Sequence, residues 1–317
     1  MPKKRPLIVI AGPTAVGKTQ LSIALAHRVH GEIVNSDSMQ IYRDLQIGTA
    51  APSLAEQDSV RHHLLNFQPV DVPYSVAEFQ QDATAAIQAI YQRHNVPIVV
   101  GGTGLYLQAL LYDFSLGGKN EHPHFRSAMQ SLAETNGAEW LHHWLEQVDK
   151  KSAEAIHPNN VRRVIRALEV ATYTEQRLSE QTEDQRQHSS RYDVFLITLN
   201  TERALLYERI NQRVDQMMKA GLLSEAEWLY QQHLPETAAA NQAIGYKEFF
   251  PYFAGEETLE IAVEKLKRSS RRYAKRQLTW LRHRLPEGHE VNLVEHPEQE
   301  AEIIQAAVDF LKQHRMV

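Results

Sequence analysis

Gly12-Pro13-Thr14-Ala15-Val16-Gly17-Lys18-Thr19 is the stretch on which the reading of this chain turns. It has the spacing G-x-x-x-x-G-K-T, it follows an apolar run at residues 7–11, and it opens a helical pattern at 18–29 with Leu21, Ala24, Leu25 and Ala26. Strand, glycine loop and helix in that order make a phosphate cradle. The glycines let successive backbone N–H groups turn inward around phosphate oxygens. The helix N-terminus adds partial positive charge. Lys18 neutralises the anion, and the Thr19 hydroxyl is placed to ligate Mg²⁺. The motif announces a diphosphate or triphosphate without saying which.

Working outward, residues 31–35, 64–67, 97–100 and 193–199 read as further strands, and 76–93 as a helix. Short apolar strands bounded by glycine and alternating with helices indicate a parallel sheet covered on both faces. Between 113 and 190 no strand pattern is found; helical patterns at 125–135, 138–147 and 161–173 take over. Helices at 203–219 and 224–230 and a long one at 258–285 follow the returning strand. The expected architecture is α/β: a P-loop NTPase-like parallel sheet flanked by helices, with an inserted all-helical domain. The core takes 1–112 and 191–317, and the insertion takes 113–190.

The composition narrows the chemistry. The 317 residues contain no cysteine, so disulfide scaffolds, thiolate metal sites and cysteine nucleophiles are excluded. No apolar run reaches the ~18 residues of a membrane span. Met1-Pro2-Lys3-Lys4-Arg5 has the charge of a signal-peptide start, but the apolar run after it is too short. A cytoplasmic chain without membrane contact is expected, as a monomer. Net charge is −5, yet nine Lys/Arg and no acid fall between Lys265 and Arg284. An acidic protein that gathers its cations in one segment is built to meet a polyanion there. A charged surface helix is the plainer alternative.

Ligands of open parallel sheets bind at the carboxyl ends of the strands. Three such ends are polar here: the P-loop, Ser36-Asp37-Ser38-Met39-Gln40, and Gly101-Gly102-Thr103-Gly104. A carboxylate beside phosphates repels them, so Asp37 suits a general base or a metal ligand. A helix cap is its simpler role. Thr103 either faces the phosphates or bonds its own turn. No apolar strand of four ends in the Asp that ordinary P-loop ATPases use to hold Mg²⁺. His62-His63 reads as a strand boundary rather than a metal pair, and no H-E-x-x-H spacing occurs, so zinc is not expected.

These motifs, with HHLLNF (62–67), YSVAEFQQDA (74–83), GGTGLYLQALL (101–111), IHPNNVRRVIRALEV (156–170), QAIGYKE (242–248) and RRYAKRQLTWLR (271–282), resemble the tRNA dimethylallyltransferases, or tRNA isopentenyltransferases, nearly end to end. The resemblance implies transfer of a dimethylallyl group from dimethylallyl diphosphate to N6 of the adenosine 3′-adjacent to the anticodon. The partner is a tRNA anticodon stem-loop and the cofactor Mg²⁺. Gly12, Pro13, Thr14, Ala15, Val16, Gly17, Lys18 and Thr19 would then hold a diphosphate, with Thr19 on the metal. Asp37 would be the base, Thr103 would sit at the reacting centre, and Arg213 would clamp the diphosphate. Ser38, Met39 and Gln40 would line the base pocket. Arg126, Val161, Arg162, Arg163, Val164 and Ile165 would meet tRNA from the insertion, and Gln242, Ala243, Ile244, Gly245, Tyr246 and Lys247 from the core. Thr174-Glu175-Gln176 and Lys150 depart from the family pattern, both inside the insertion. A P-loop nucleotide or small-molecule kinase is the competing reading, and an RNA-binding ATPase a third.

Overall fold

The computed structural model of the chain describes residues 4–112, 122–174, 177–180 and 190–317. Glu175 and Gln176, part of one departure from the family pattern, and residues 113–121 of the insertion lie outside these. The strand before the P-loop, β1 (Arg5–Ala11), is wholly inaccessible from Leu7 to Ala11. It is covered on both faces, which is why it reads as a continuous apolar run instead of alternating.

Around it stand β2 (Gly31–Asn35), β3 (His62–His63), β4 (Val96–Gly101), β5 (Tyr192–Leu199) and β6 (His289–Val291), in the order β3-β2-β4-β1-β5-β6. Every pairing is parallel. The register puts Ala11 opposite Gly101, and Asn35 opposite Val100. The carboxyl ends of β1, β4 and β2 are therefore level, and the three polar strand ends emerge on one edge. Helix α1 (Lys18–Val29) buries Leu21, Leu25 and Val29 in the core built on the sheet. Helix α2 (Val76–Gln92) starts on a capping box. The Ser75 side chain accepts from Glu78 N, and the Glu78 carboxylate accepts from Ser75 N.

Several elements differ from the sequence expectation, among them helices Lys150–Ala155 and Gln299–Gln313, which it did not contain. The third strand is His62–His63, not 64–67, because Leu64 (φ 57°) and Asn66 (φ 50°) take the left-handed conformation that a strand cannot accommodate. The histidines are the strand itself, not its boundary. Helix α3 (Gly104–Tyr112) gives no period because Tyr106 to Leu111 are all buried. Strand β6 is three residues long with two of them exposed, too little to signal itself.

Two compact units result: Met1–Leu111 with Arg191–Val317, and Tyr112–Ser190. In the first, the chain leaves at Leu111 and returns at Arg191, whose N–H donates to the Leu111 carbonyl at 3.2 Å. The second unit contains α4 (Pro123–Asn136), α5 (Ala138–Val148), α6 (Lys150–Ala155) and α7 (Val161–Tyr173). They close on Met129, Leu141, Leu145, Val164, Ile165 and Leu168. Buried Asp149 caps α6 through Ser152 N and also accepts from Ser179 N. The core unit continues with α8 (Arg203–Lys219), α9 (Leu222–Gln231), α10 (Leu259–Arg284) and α11 (Gln299–Gln313). No helix among the described residues is long and apolar enough to cross a membrane.

Glu32 on β2 is 4% exposed and ties three segments together. It accepts from Arg93 Nε (2.8 Å) and Nη2 (2.7 Å), from Asn95 Nδ2 (2.8 Å), and pairs with His63 Nε2 (2.7 Å). Burial works to raise its pKa, but the Arg93, His63 and Asn95 bonds outweigh that and bring it down to about 2. The stability it supplies is complete above the unfolded carboxyl value and is lost as pH falls toward 2. Glu32→Gln is expected to cost ~2–4 kcal/mol at pH 7. In urea unfolding, its gap to the wild type should narrow between pH 4.5 and 2.

Candidate active site

The P-loop is shaped by two left-handed residues, Ala15 (φ 67°) and Gly17 (φ 97°), the latter the N-cap of α1. Gly12 is needed for a different reason: a Cβ there would lie 2.7 Å from the Leu199 carbonyl oxygen, where β5 ends against the loop. The Lys18 ammonium donates to the Pro13 carbonyl at 2.5 Å and so lies across the loop. From α8, Arg213 Nη1 approaches Thr14 Oγ1 at 3.3 Å, and Arg209 Nε donates to the Ala15 carbonyl at 2.8 Å. The two arginines are one turn apart on one face. Arg209 was not expected; its spacing from Arg213 is the only sign of it in the sequence.

At the end of β2, with β4 between it and the P-loop strand, Asn35 acts as a bracket. Its amide donates to the Asp37 and Leu64 carbonyls (3.2 and 2.9 Å), and its Oδ1 accepts from Asp37 N (3.1 Å). Asp37 Oδ1 accepts from Met39 N at 2.9 Å, closing an Asx turn. No helix follows, so the expected cap is a turn instead. Asp37 Oδ2 has no hydrogen bond among the described residues. Thr103 does not bond its own turn: its Oγ1 accepts from Ser38 N at 3.0 Å and donates to Ser38 Oγ at 3.3 Å, joining the ends of β2 and β4.

The charges influence one another. Burial brings the Lys18 ammonium down to about 8, with Asp37 opposing and Arg213 reinforcing the shift. Burial also lowers the Arg213 guanidinium, against the pull of Glu56 and Asp37. Burial pushes the Tyr273 phenol well up, and the Asp37 charge adds to this; bonds to Thr103 and Gln277 work the other way. Asp37, Thr103, Lys18 and Arg213 are thus brought into one site, with Tyr273 as an unforeseen neighbour.

The basic helix α10 turns out to have two faces. Tyr273, Gln277 and Trp280 point inward. Gln277 Nε2 donates to the Gly102 carbonyl at 3.0 Å. A Cβ on Gly102 would collide with that Nε2, and one on Gly104 would collide with Trp280 Cδ1. These glycines admit α10 rather than a phosphate. Of the cations, Lys265 pairs with Glu257, Lys267 with Asp215, and Arg271 donates to Asn211. Arg268, Arg272, Lys275 and Arg282 are exposed and have no ion pair among the described residues.

Some expected contacts are placed elsewhere. Val164 and Ile165 are buried in the helical unit's core and half-buried Val161 packs against it, so only Arg162 and Arg163 of that stretch are exposed. Arg126 is bidentate on the buried Glu169 (2.9 and 3.0 Å), which Arg166 also reaches at 2.6 Å; Arg162 stays free of that carboxylate. Ala243, Gly245 and Tyr246 are buried, and the Gln242 amide is spent on the Glu236 carbonyl. Ile244 and Lys247 are half-buried. Gln40 donates its amide to the Thr49 and Ala50 carbonyls, so it holds a loop rather than facing a ligand.

Three comparisons bear on this geometry. The family model described as IPP transferase matches residues 40–284. A tRNA dimethylallyltransferase of Enterococcus faecalis is 49% identical over 97% of this chain and 98% of its own. One from Geobacillus thermodenitrificans is 50% identical over 88% of both. Among solved structures, the Bacillus halodurans tRNA isopentenylpyrophosphate transferase superposes with a TM-score of 0.73 at 42% identity, covering 98% of each chain. A eukaryotic dimethylallyltransferase acting on tRNA reaches 0.80 at 31% identity, over 98% of this chain and 80% of its own.

An anion in the loop favours charged Lys18 and should raise its pKa back above 8. Calorimetry of pyrophosphate binding at pH 8, in buffers of differing ionisation enthalpy, is expected to show wild type taking up ~0.5 proton more than Lys18→Met. The difference should vanish near pH 6.5. The same substitution should weaken binding ~10–100-fold.

Proposed function

The chain belongs to the IPP transferase family, and from that premise we propose that it transfers a dimethylallyl group from dimethylallyl diphosphate to N6 of the adenosine 3′-adjacent to the anticodon in tRNA, releasing diphosphate. The observation that carries this reading is Asp37: a half-buried carboxylate with one oxygen locked in its own turn and the other uncommitted, next to Lys18 and Arg213.

The amine lone pair of adenine is delocalised into the ring, so attack on the allylic carbon needs a good leaving group and a base. The C–O bond to diphosphate breaks as the C–N6 bond forms, and N6 must lose a proton. Asp37 Oδ2 takes that proton. The departing diphosphate is stabilised by the inward N–H groups of the P-loop, by Lys18 and by Arg213. Thr103, fixed to Ser38, keeps the two strand ends at a constant spacing around the reacting atoms. Among the described residues no trio of carboxylate or imidazole groups is assembled to hold a metal. Mg²⁺ arriving with the diphosphate would be held on the protein by the Thr19 hydroxyl. Bound there, Mg²⁺ supplies further neutralisation of the leaving group.

A kinase would need metal ligands beyond one threonine to aim a γ-phosphate, and the family match over residues 40–284 favours prenyl transfer over it. For the polyanion, the exposed Arg162 and Arg163 of the helical unit suit backbone phosphates, as do Arg268, Arg272 and Lys275 of the core unit. The target base must leave its stack to reach the strand ends, which a single-stranded loop makes cheap.

An anticodon stem-loop RNA incubated with the chain, Mg²⁺ and dimethylallyl diphosphate, without ATP, should gain one prenyl unit on one adenosine by mass spectrometry. Asp37→Asn should lower kcat ~10²–10⁴-fold and leave pyrophosphate affinity within about twofold. Removing Arg162 or Arg163 should flatten the plot of log affinity against log salt by ~0.7–0.9 each. An unchanged slope assigns that arginine to solvent.

A further inference from the structure

The loop that follows the Asp37 turn is held by one carboxylate from a helix far along the chain. Glu225, on α9, accepts from three consecutive backbone N–H groups. Oε2 takes Gln46 N at 3.0 Å, Oε1 takes Gly48 N at 2.9 Å, and Ile47 N is shared between the two at 2.9 and 3.0 Å. Oε1 also accepts the Tyr246 hydroxyl at 2.7 Å. Successive N–H groups converging on one anion form a nest, and bonds to a charged acceptor are the strong kind.

The surroundings are cut to this arrangement. The Tyr246 ring lies where a side chain on Gly48 would be: a Cβ there would meet Cζ at 2.5 Å. Gly245 has φ +109°, and its own Cβ would meet the Gly48 carbonyl at 3.1 Å. Residues 46–48 are pinned between α9 and the 245–246 backbone.

The pinned loop passes its position on. Thr49 Oγ1 donates to the Leu45 carbonyl at 2.5 Å and Ala51 N to the Gln46 carbonyl at 3.0 Å. The Thr49 and Ala50 carbonyls take the Gln40 amide, both at 3.1 Å. Gln40 follows directly on the turn that Asp37 Oδ1 closes on Met39 N. A continuous set of bonds therefore runs from Glu225 through 46–50 to Gln40 and the wall beside Asp37.

We infer that Glu225 is a positioning residue for the base-accepting side of the site. It touches no substrate; its charge holds the 46–50 loop, and the loop holds the Asp37–Gln40 wall. The inference rests on the prenyl-transfer reading for the identity of the substrate. A glutamine at 225 keeps the volume but puts an NH₂ donor among N–H donors, leaving backbone groups without an acceptor.

The test is Glu225→Gln, measured three ways. With anticodon stem-loop RNA and dimethylallyl diphosphate, kcat/KM for RNA should fall ~30-fold or more, because an ill-placed wall loses transition-state contacts. Pyrophosphate affinity should stay within about twofold, since the P-loop is held by other bonds. Amide exchange should speed up at 37–50 and remain unchanged in α1. Tyr246→Phe removes one of the bonds to the carboxylate; it should give the same split at ~3-fold, and it carries the test if the glutamine variant fails to fold. RNA kcat/KM within threefold for Glu225→Gln overturns the inference, as does a parallel loss of pyrophosphate and RNA affinity, which marks a purely structural residue. If the wild type prenylates no adenosine, the functional reading falls instead. Amide exchange then decides the bracing alone: faster exchange at 37–40 supports it and unchanged exchange refutes it.

Discussion

The parallel register of β2, β4 and β1 is the constraint on which the rest depends. Because Asn35 stands beside Val100 and Ala11 beside Gly101, three chain segments distant in sequence turn off the sheet at one level. Each then contributes something different. The P-loop meets anions, the Asp37 turn presents a carboxylate, and Thr103 ties the ends of β2 and β4 together. A one-residue slip would reverse every side chain's face and separate these groups. Leu7 to Ala11 are buried on both faces and do not set the register by their own pattern; the contacts at the strand ends do, Ser38 bonded to Thr103 and Gly12 closed on the Leu199 carbonyl.

The electrostatics solve a problem that the topology creates. A carboxylate next to a phosphate cradle is repelled by the ligand it serves. Here Lys18 and Arg213 stand close enough to Asp37 to feel its charge, and both are partly withdrawn from water. Each cation answers the carboxylate and the incoming anion together. The inward stripe of α10 closes the other side, with Gln277 on the Gly102 carbonyl and Trp280 against Gly104.

How much of this was legible follows physical lines. The P-loop, β1, α1 and the Asp37 and Thr103 strand ends could be read directly, because burial on both faces and phosphate chemistry leave local marks. The third strand was misplaced because Leu64-Leu65 looks like a strand by composition, while Leu64 and Asn66 have left-handed backbones set by tertiary bonds. Helix α3 was silent because an element buried all round has no polar face to give a period. Val164, Ile165 and Tyr246 were expected to meet a ligand, but they sit inside. A family resemblance marks a stretch, whereas helical geometry decides which residues in it face out. Glu225 carries no local signal at all: it is one acid on an ordinary helix, and its partners lie far away in the chain.

The bond from Arg191 to Leu111 marks where the helical unit leaves and rejoins the core. That placement governs the order in which the chain can fold as it is made. β1 can pair with β4 once residue 101 has emerged, but its other neighbour, β5, follows the whole of Tyr112–Ser190. Until then the most apolar strand of the sheet has one edge unpaired, the condition that invites edge-to-edge association. The growing chain is therefore most vulnerable to aggregation while the helical unit is being synthesised.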